Sequence, residues 1–180
     1  GLRARLETAF PGAGAVVVSD YREAGKAGTL TAKVRETLAG LMRANPATPV
    51  LVDSRLGLAD YPAAILKPNE REASRLLGLP ESDELSLEEW KRRGIQLAGR
   101  QGRPVFVTLG PRGIVACDAE SASHVPGVAV RGPIDIGGAG DTVLSALAGA
   151  LAAGATPPEA AALGVLAASV TIRKIGITGT

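Results

Sequence analysis

Asp135-Ile-Gly-Gly-Ala-Gly-Asp141, followed without a break by Thr142-Val-Leu-Ser-Ala-Leu-Ala, sets two carboxylates around three glycines at the mouth of an apolar stretch. Small residues let backbone approach a ligand closely, and the first N–H groups of a helix have no partner within it. The helix dipole adds partial positive charge at the same end, so such a turn seats an anion such as phosphate. A carboxylate inside this turn makes chemical sense if Asp141 takes a proton from a hydroxyl. The amides of Gly138, Ala139 and Gly140 would meanwhile hold the phosphoryl group which that hydroxyl attacks. A structural alternative stays open, because an Asp near a helix start is also a routine cap or dipole partner. The stretch is not a Walker A loop, since no Gly-Lys-Ser/Thr closes it. It is not a dinucleotide fingerprint either, since the third glycine of G-x-G-x-x-G is missing.

Two further groups could serve the same chemistry. Asn69-Glu-Arg-Glu72 has the spacing of a capping box, a purely structural device. The same two side chains could instead hold water ligands of a Mg²⁺ ion beside nucleotide phosphates, because Mg²⁺ keeps several waters and needs few direct carboxylates. Thr108-Leu-Gly-Pro-Arg-Gly113 is a turn whose glycines could pack against a flat ligand such as a nucleoside, and a plain hairpin connection would read the same way.

Composition bounds the rest. The 180 residues suit one domain, 1–180, with 46% apolar and 21% charged residues, which argues against disorder. The net charge is +2 and aromatics make up 3%, so neither a basic patch nor a stacking platform supports nucleic-acid binding. The single cysteine, Cys117, excludes an intrachain disulfide framework and fits a reducing cytoplasm. It lies in an apolar run and reads as core. His124, the only histidine, excludes a histidine metal cluster and reads as a surface or strand-end residue. The start of the chain does not look like a signal peptide. Val143 to Ile172 is rich in Ala, Leu and Val, but Gly154-Ala-Thr-Pro-Pro-Glu159 divides it into halves too short to span a bilayer, so no membrane span is expected.

The elements that must position these residues follow from the pattern. Short β-branched or apolar runs at 15–19, 50–53, 64–67 and 104–108 read as strands buried on both faces. Runs at 114–118 and 123–130 read as a further strand and its partner. Helices are expected over 31–43, from Asn69 to about Leu77, from the Ser86-Leu-Glu-Glu89 capping box to about Gly99, after the glycine turn, and from Thr156-Pro-Pro-Glu159 to about Val170. Trp90 reads as a packing anchor. Buried strands alternating with helices predict an α/β fold, a three-layer αβα sandwich around a mainly parallel sheet. Ligands bind such sheets at the carboxyl ends of the strands, where Asp20, Asp53, Lys67 and Thr108 all fall.

In order and together, Pro68-Asn69-Glu-Arg-Glu72, Thr108-Leu-Gly110-Pro-Arg-Gly113 and Asp135-Ile-Gly-Gly138-Ala-Gly-Asp141 resemble the N-x-x-E, T-L-G-x-x-G and D-x-x-G-A-G-D motifs of the ribokinase-like (PfkB) carbohydrate kinases. Val18-Ser-Asp-Tyr21, Val52-Asp53, Leu66-Lys-Pro-Asn69 and Val170 to Gly176 look most like its heptose-phosphate kinase branch. The resemblance implies an ATP- and Mg²⁺-dependent kinase acting on a sugar or sugar phosphate. Asp141 would be the base, and Gly138, Ala139 and Gly140 the anion hole. Asn69, Thr108, Gly110, Gly113 and Lys174 would bind nucleotide, while Glu72, Asn69 and Asp135 would serve the metal. Only the later half of the family domain is matched, with no counterpart to its N-terminal part and lid. Gly137 stands where relatives often carry Thr, and the loop after Tyr21 is longer than the Gly-Lys-Gly turn of the heptose branch. A homodimer is one assembly the resemblance leaves open. The alternatives are a nucleotide-binding or regulatory module without catalysis, or a kinase of a nucleoside or another small alcohol.

Overall fold

The computed structural model describes residues 1–22, 29–81 and 85–176. The lengthened loop after Tyr21 falls mostly on residues 23–28, outside the described residues. Six strands form one sheet in the order β1 (Val16–Asp20), β2 (Val50–Ser54), β3 (Ile65–Leu66), β4 (Val105–Thr108), β5 (Ile114–Cys117) and β6 (Ala122–Val125). The pairs β1–β2, β2–β3 and β3–β4 are parallel, and β4–β5 and β5–β6 are antiparallel. The sheet is therefore mainly parallel, as expected, with an antiparallel edge.

Strand periodicity of two splits the apolar runs between two cores. Val50, Val52, Val105, Val107, Val115 and Cys117 face one side, with Leu38, Ala73, Trp90 and Leu97 from the helices there. Leu51, Ile65, Phe106, Ile114 and Ala116 face the other, against Leu144, Leu147, Ala160 and Val165. The first layer holds α2 (Ala32–Ala44), α3 (Glu70–Leu77) and α4 (Leu87–Gln101), the second α5 (Ala139–Ala152) and α6 (Pro157–Thr171). With the sheet between them they make the three-layer sandwich.

Some boundaries differ from expectation, each for a local reason. β6 stops at Val125 instead of running to residue 130, because Pro126 has no N–H to continue the ladder. α4 runs past Gly99 to Gln101, and Gly102 at φ 64° is its stop. The capping box expected at Ser86 is half made. Ser86 Oγ accepts from the Glu89 N–H, but the Glu89 carboxylate is held by Arg92 and Arg93. A helix with no fully buried residue, α1 (Leu2–Ala9), precedes β1 and was not anticipated. Among the described residues no helix is long and apolar enough to cross a membrane.

After β6, at the far edge of the sheet, residues 126–138 form an irregular connection. It leads back to α5, which lies over β1 and β2, while α6 lies over β5 and β6. This return path delivers the glycine turn to the carboxyl ends of the first strands.

Candidate active site

Gly138 caps α5 in the left-handed region, φ 73°, a conformation that side-chain-bearing residues rarely adopt. The Ala139 N–H already donates to the Ile136 carbonyl at 3.2 Å. Among the described residues the amides of Gly138, Gly140 and Asp141 carry no hydrogen bond, so these are the open donors of the turn. Gly138 and Gly140 are exposed and Asp141 is half-buried. The tip of the helix is thus bare backbone with a carboxylate beside it.

The Asp141 carboxylate accepts from the Tyr21 hydroxyl at 2.7 Å on Oδ1 and 2.6 Å on Oδ2, and Ser19 Oγ lies 3.4 Å from Oδ1. A Cβ built on Gly140 would stand 3.7 Å from both Asp53 Oδ2 and Lys67 Nζ, which are themselves paired at 2.8 Å. Lys67 is almost fully buried, at 5% side-chain exposure, so a partner for its ammonium is obligatory. The sheet edge therefore sets a paired cation directly against the glycine turn.

Glu72 belongs to the same electrostatic neighbourhood. Burial pushes its carboxyl above the usual carboxylate range, the Asn69 amide opposes that, and the Asp53 charge adds to it. Asn69 and Glu72 form the full capping box of α3. Asn69 Oδ1 accepts from Glu72 N at 2.9 Å, and Glu72 Oε2 accepts from Asn69 N at 2.8 Å. Thr108 bridges to Asn69 across the sheet, and its N–H donates to the Pro68 carbonyl at 2.9 Å.

Four residues singled out in the sequence sit differently. A Cβ on Gly113 would lie 2.0 Å from the Val125 carbonyl oxygen, so its bareness is used by the neighbouring strand; above Gly110 the space is open. The Asp135 carboxylate clips the loop, accepting from Gly137 N at 2.8 Å and Gly176 N at 3.1 Å. Both bonds hold it below its ordinary range. Lys174 is exposed in the turn after α6. Asp20 faces a buried network, bonded to Arg22 and Tyr61 at 3.0 Å and to Ser54 at 3.3 Å, rather than the cleft. Among the described residues no three His, Cys, Asp or Glu side chains converge as a metal cage.

The sequence reading gave Tyr21 no chemical role and left Lys67 and Asp53 without a pairing. The pair carried a signal: a lysine closing an apolar strand needs an acid, and the adjacent strand ends in one. Tyr21 carried none.

Comparison with known proteins adds an independent line. The sequence pattern of the pfkB family carbohydrate kinases matches residues 23–180. Bifunctional protein HldE of Desulfatibacillum aliphaticivorans is 33% identical over 162 residues, covering 89% of this chain and 32% of that protein. HldE of Caulobacter vibrioides is 35% identical over 180 residues, covering 97% and 35%. The chain thus spans about a third of the length of the curated relatives it matches. Among solved structures, phosphofructokinase-2 from Escherichia coli in complex with potassium superposes with a TM-score of 0.75 at 24% identity, covering 97% of this chain and 56% of that one. Arabidopsis thaliana ribokinase complexed with ribose and ATP gives 0.72 at 25% identity, covering 96% and 54%. The fold is ribokinase-like.

Proposed function

This chain belongs to the pfkB family of carbohydrate kinases, and from that premise we propose that it is the nucleotide-binding and catalytic half of an ATP-dependent kinase that phosphorylates a hydroxyl of a sugar or sugar phosphate. The observation that carries the reading is the half-buried Asp141 carboxylate beside the open amides of Gly138 and Gly140, with Lys67 and Asp53 against the same turn. Asp141 accepts the proton of the acceptor hydroxyl. The open amides and the dipole of α5 neutralise charge on the transferred phosphoryl group, a preorganised arrangement that needs no rearrangement during reaction. Positioning and charge neutralisation are the main demands of phosphoryl transfer.

The residues present fit a nucleotide and its metal. Lys67 offers the buried cation a phosphate needs, and Asn69 and Thr108 line the adjoining strand ends, with open space above Gly110 for a flat base. Mg²⁺ would be held chiefly by phosphates and water, with Glu72, Asn69 and Asp53 receiving its waters and Asp135 bracing the loop, which suits a site without a ready-made cage. When bound, the ion would supply neutralisation of phosphate charge. Residues 1–180 act as one domain, and the reducing cytoplasm is the compartment a lone buried Cys117 fits.

Asp141→Asn in the intact protein is expected to lower turnover by about 10²–10⁴ while ATP binding by calorimetry persists. Turnover near the parent level would remove Asp141 from the base role. ATP binding with no transfer to any sugar phosphate, even in the parent protein, would favour a non-catalytic nucleotide module. Resemblance of Val18–Tyr21 and Leu66–Asn69 to the heptose-phosphate kinase branch makes a heptose phosphate the first acceptor to test.

A further inference from the structure

We infer that Tyr21 is a positioning residue for the base, a phenol that fixes the Asp141 carboxylate and leaves one of its oxygens to the acceptor hydroxyl. The inference rests on the reading of Asp141 as base and adds a residue to it.

A carboxylate on a short side chain turns easily about its last bond, because that torsion has broad wells. At 2.7 and 2.6 Å from the two oxygens, the Tyr21 hydroxyl stands nearly centred between them. It has a single proton, so it satisfies one oxygen at a time. The Ser19 hydroxyl at 3.4 Å is a weaker second donor on Oδ1. Packing does not explain where the ring sits, since Tyr21 is 62% exposed. Among the described residues, what holds it is the bond to Asp141 and the Arg55 guanidinium, 5.8 Å above the ring centre.

Among the described residues the charged groups facing Tyr21 are Asp141, Asp53 and Arg55. The Asp141 bond, then burial, then the charges of Asp141 and Asp53 lift the phenol above its ordinary range, and Arg55 opposes them. Tyr21 therefore stays protonated and acts only as donor. In the reaction the acceptor O–H proton passes to the Asp141 oxygen that Tyr21 does not hold. The acceptor oxygen bonds to phosphorus, the phosphorus–oxygen bond to ADP breaks, and Tyr21 keeps its own proton.

Two measurements test this separately. The chain has two tyrosines, Tyr21 and a buried Tyr61 whose phenol burial lifts strongly, so alkaline absorbance titration of tyrosinate resolves them. Tyr21→Phe identifies the earlier transition by its loss, and Asp141→Asn is expected to bring that transition down toward the ordinary tyrosine range. A transition that stays put overturns the contact. In the intact kinase, Tyr21→Phe is expected to lower kcat about tenfold with KM for ATP within about twofold. The double variant should be no slower than Asp141→Asn, because Tyr21 acts through Asp141. An unchanged kcat, a raised kcat (the phenol then being an occupant of the acceptor's place), or additive losses in the double variant each overturn the inference. Turnover near the parent level in Asp141→Asn overturns the base itself, and the titration still reports on the contact.

Discussion

Lys67 closes a two-residue strand with its ammonium almost out of water, and its partner among the described residues is Asp53 at 2.8 Å. A buried ion pair of this kind adds little net stability by itself, but removing one member strands the other. That asymmetry separates a binding role from a structural one. Lys67→Met should destabilise the chain to urea, because Asp53 loses its counterion, and should weaken ATP binding about tenfold or more through loss of a charge-assisted phosphate contact. Adding Asp53→Asn should recover most of the stability and none of the affinity. Recovery of both would mean that Lys67 serves the fold alone. The Asp53–Lys67 pair is local enough to be read from two strand ends. The Tyr21–Asp141 pair is not, since 120 positions separate its members and nothing in the spacing of either announces the other.

At the level of elements, what proved legible was what neighbours in the chain decide among themselves. The Asn69–Glu72 capping box, the stop at Gly78 with φ 69° and the continuous apolar strands were all readable, because each is a matter of a few adjacent residues. The half-made box at Ser86 was not, because Arg92 and Arg93, one turn further on, compete for Glu89. Nor was α1, which has no fully buried face to leave a periodic trace. Gly94 is another position where the packing partner is invisible to local pattern. It lies inside α4, where alanine would ordinarily favour the helix by about 0.5–1 kcal/mol. A Cβ there would meet Cys117 Sγ at 2.2 Å, however, so the helix rests directly on β5. Gly94→Ala is expected to destabilise by ~1–3 kcal/mol in a urea melt, the usual range for overpacking. Cys117→Ala in the same chain should relieve most of the loss. A stabilised single variant would show that α4 has room to lift.

For the molecule as a whole, Cys117 is a reporter placed by nature in the core. Burial, chiefly, pushes its thiol up to about 12, and the residue is 1% exposed. Ellman's reagent at pH 8 should therefore find no reactive thiol in the folded chain, then a single one once urea unfolds it, with a labelling rate that tracks global opening. Rapid labelling without denaturant would show that β5 opens separately from the rest. The whole-molecule feature the sequence concealed was the direction of the return path. Residues 126–138 cross back so that α5 covers β1 and β2 instead of remaining beside β6. During synthesis this route has a temporal meaning. A ribosome that has emitted β1 to β6 has made a sheet edge that still lacks Asp141. Only when α5 emerges do Ser19 and Tyr21, at the end of β1, meet that carboxylate, so under the proposed function a polypeptide stalled before α5 would lack its base.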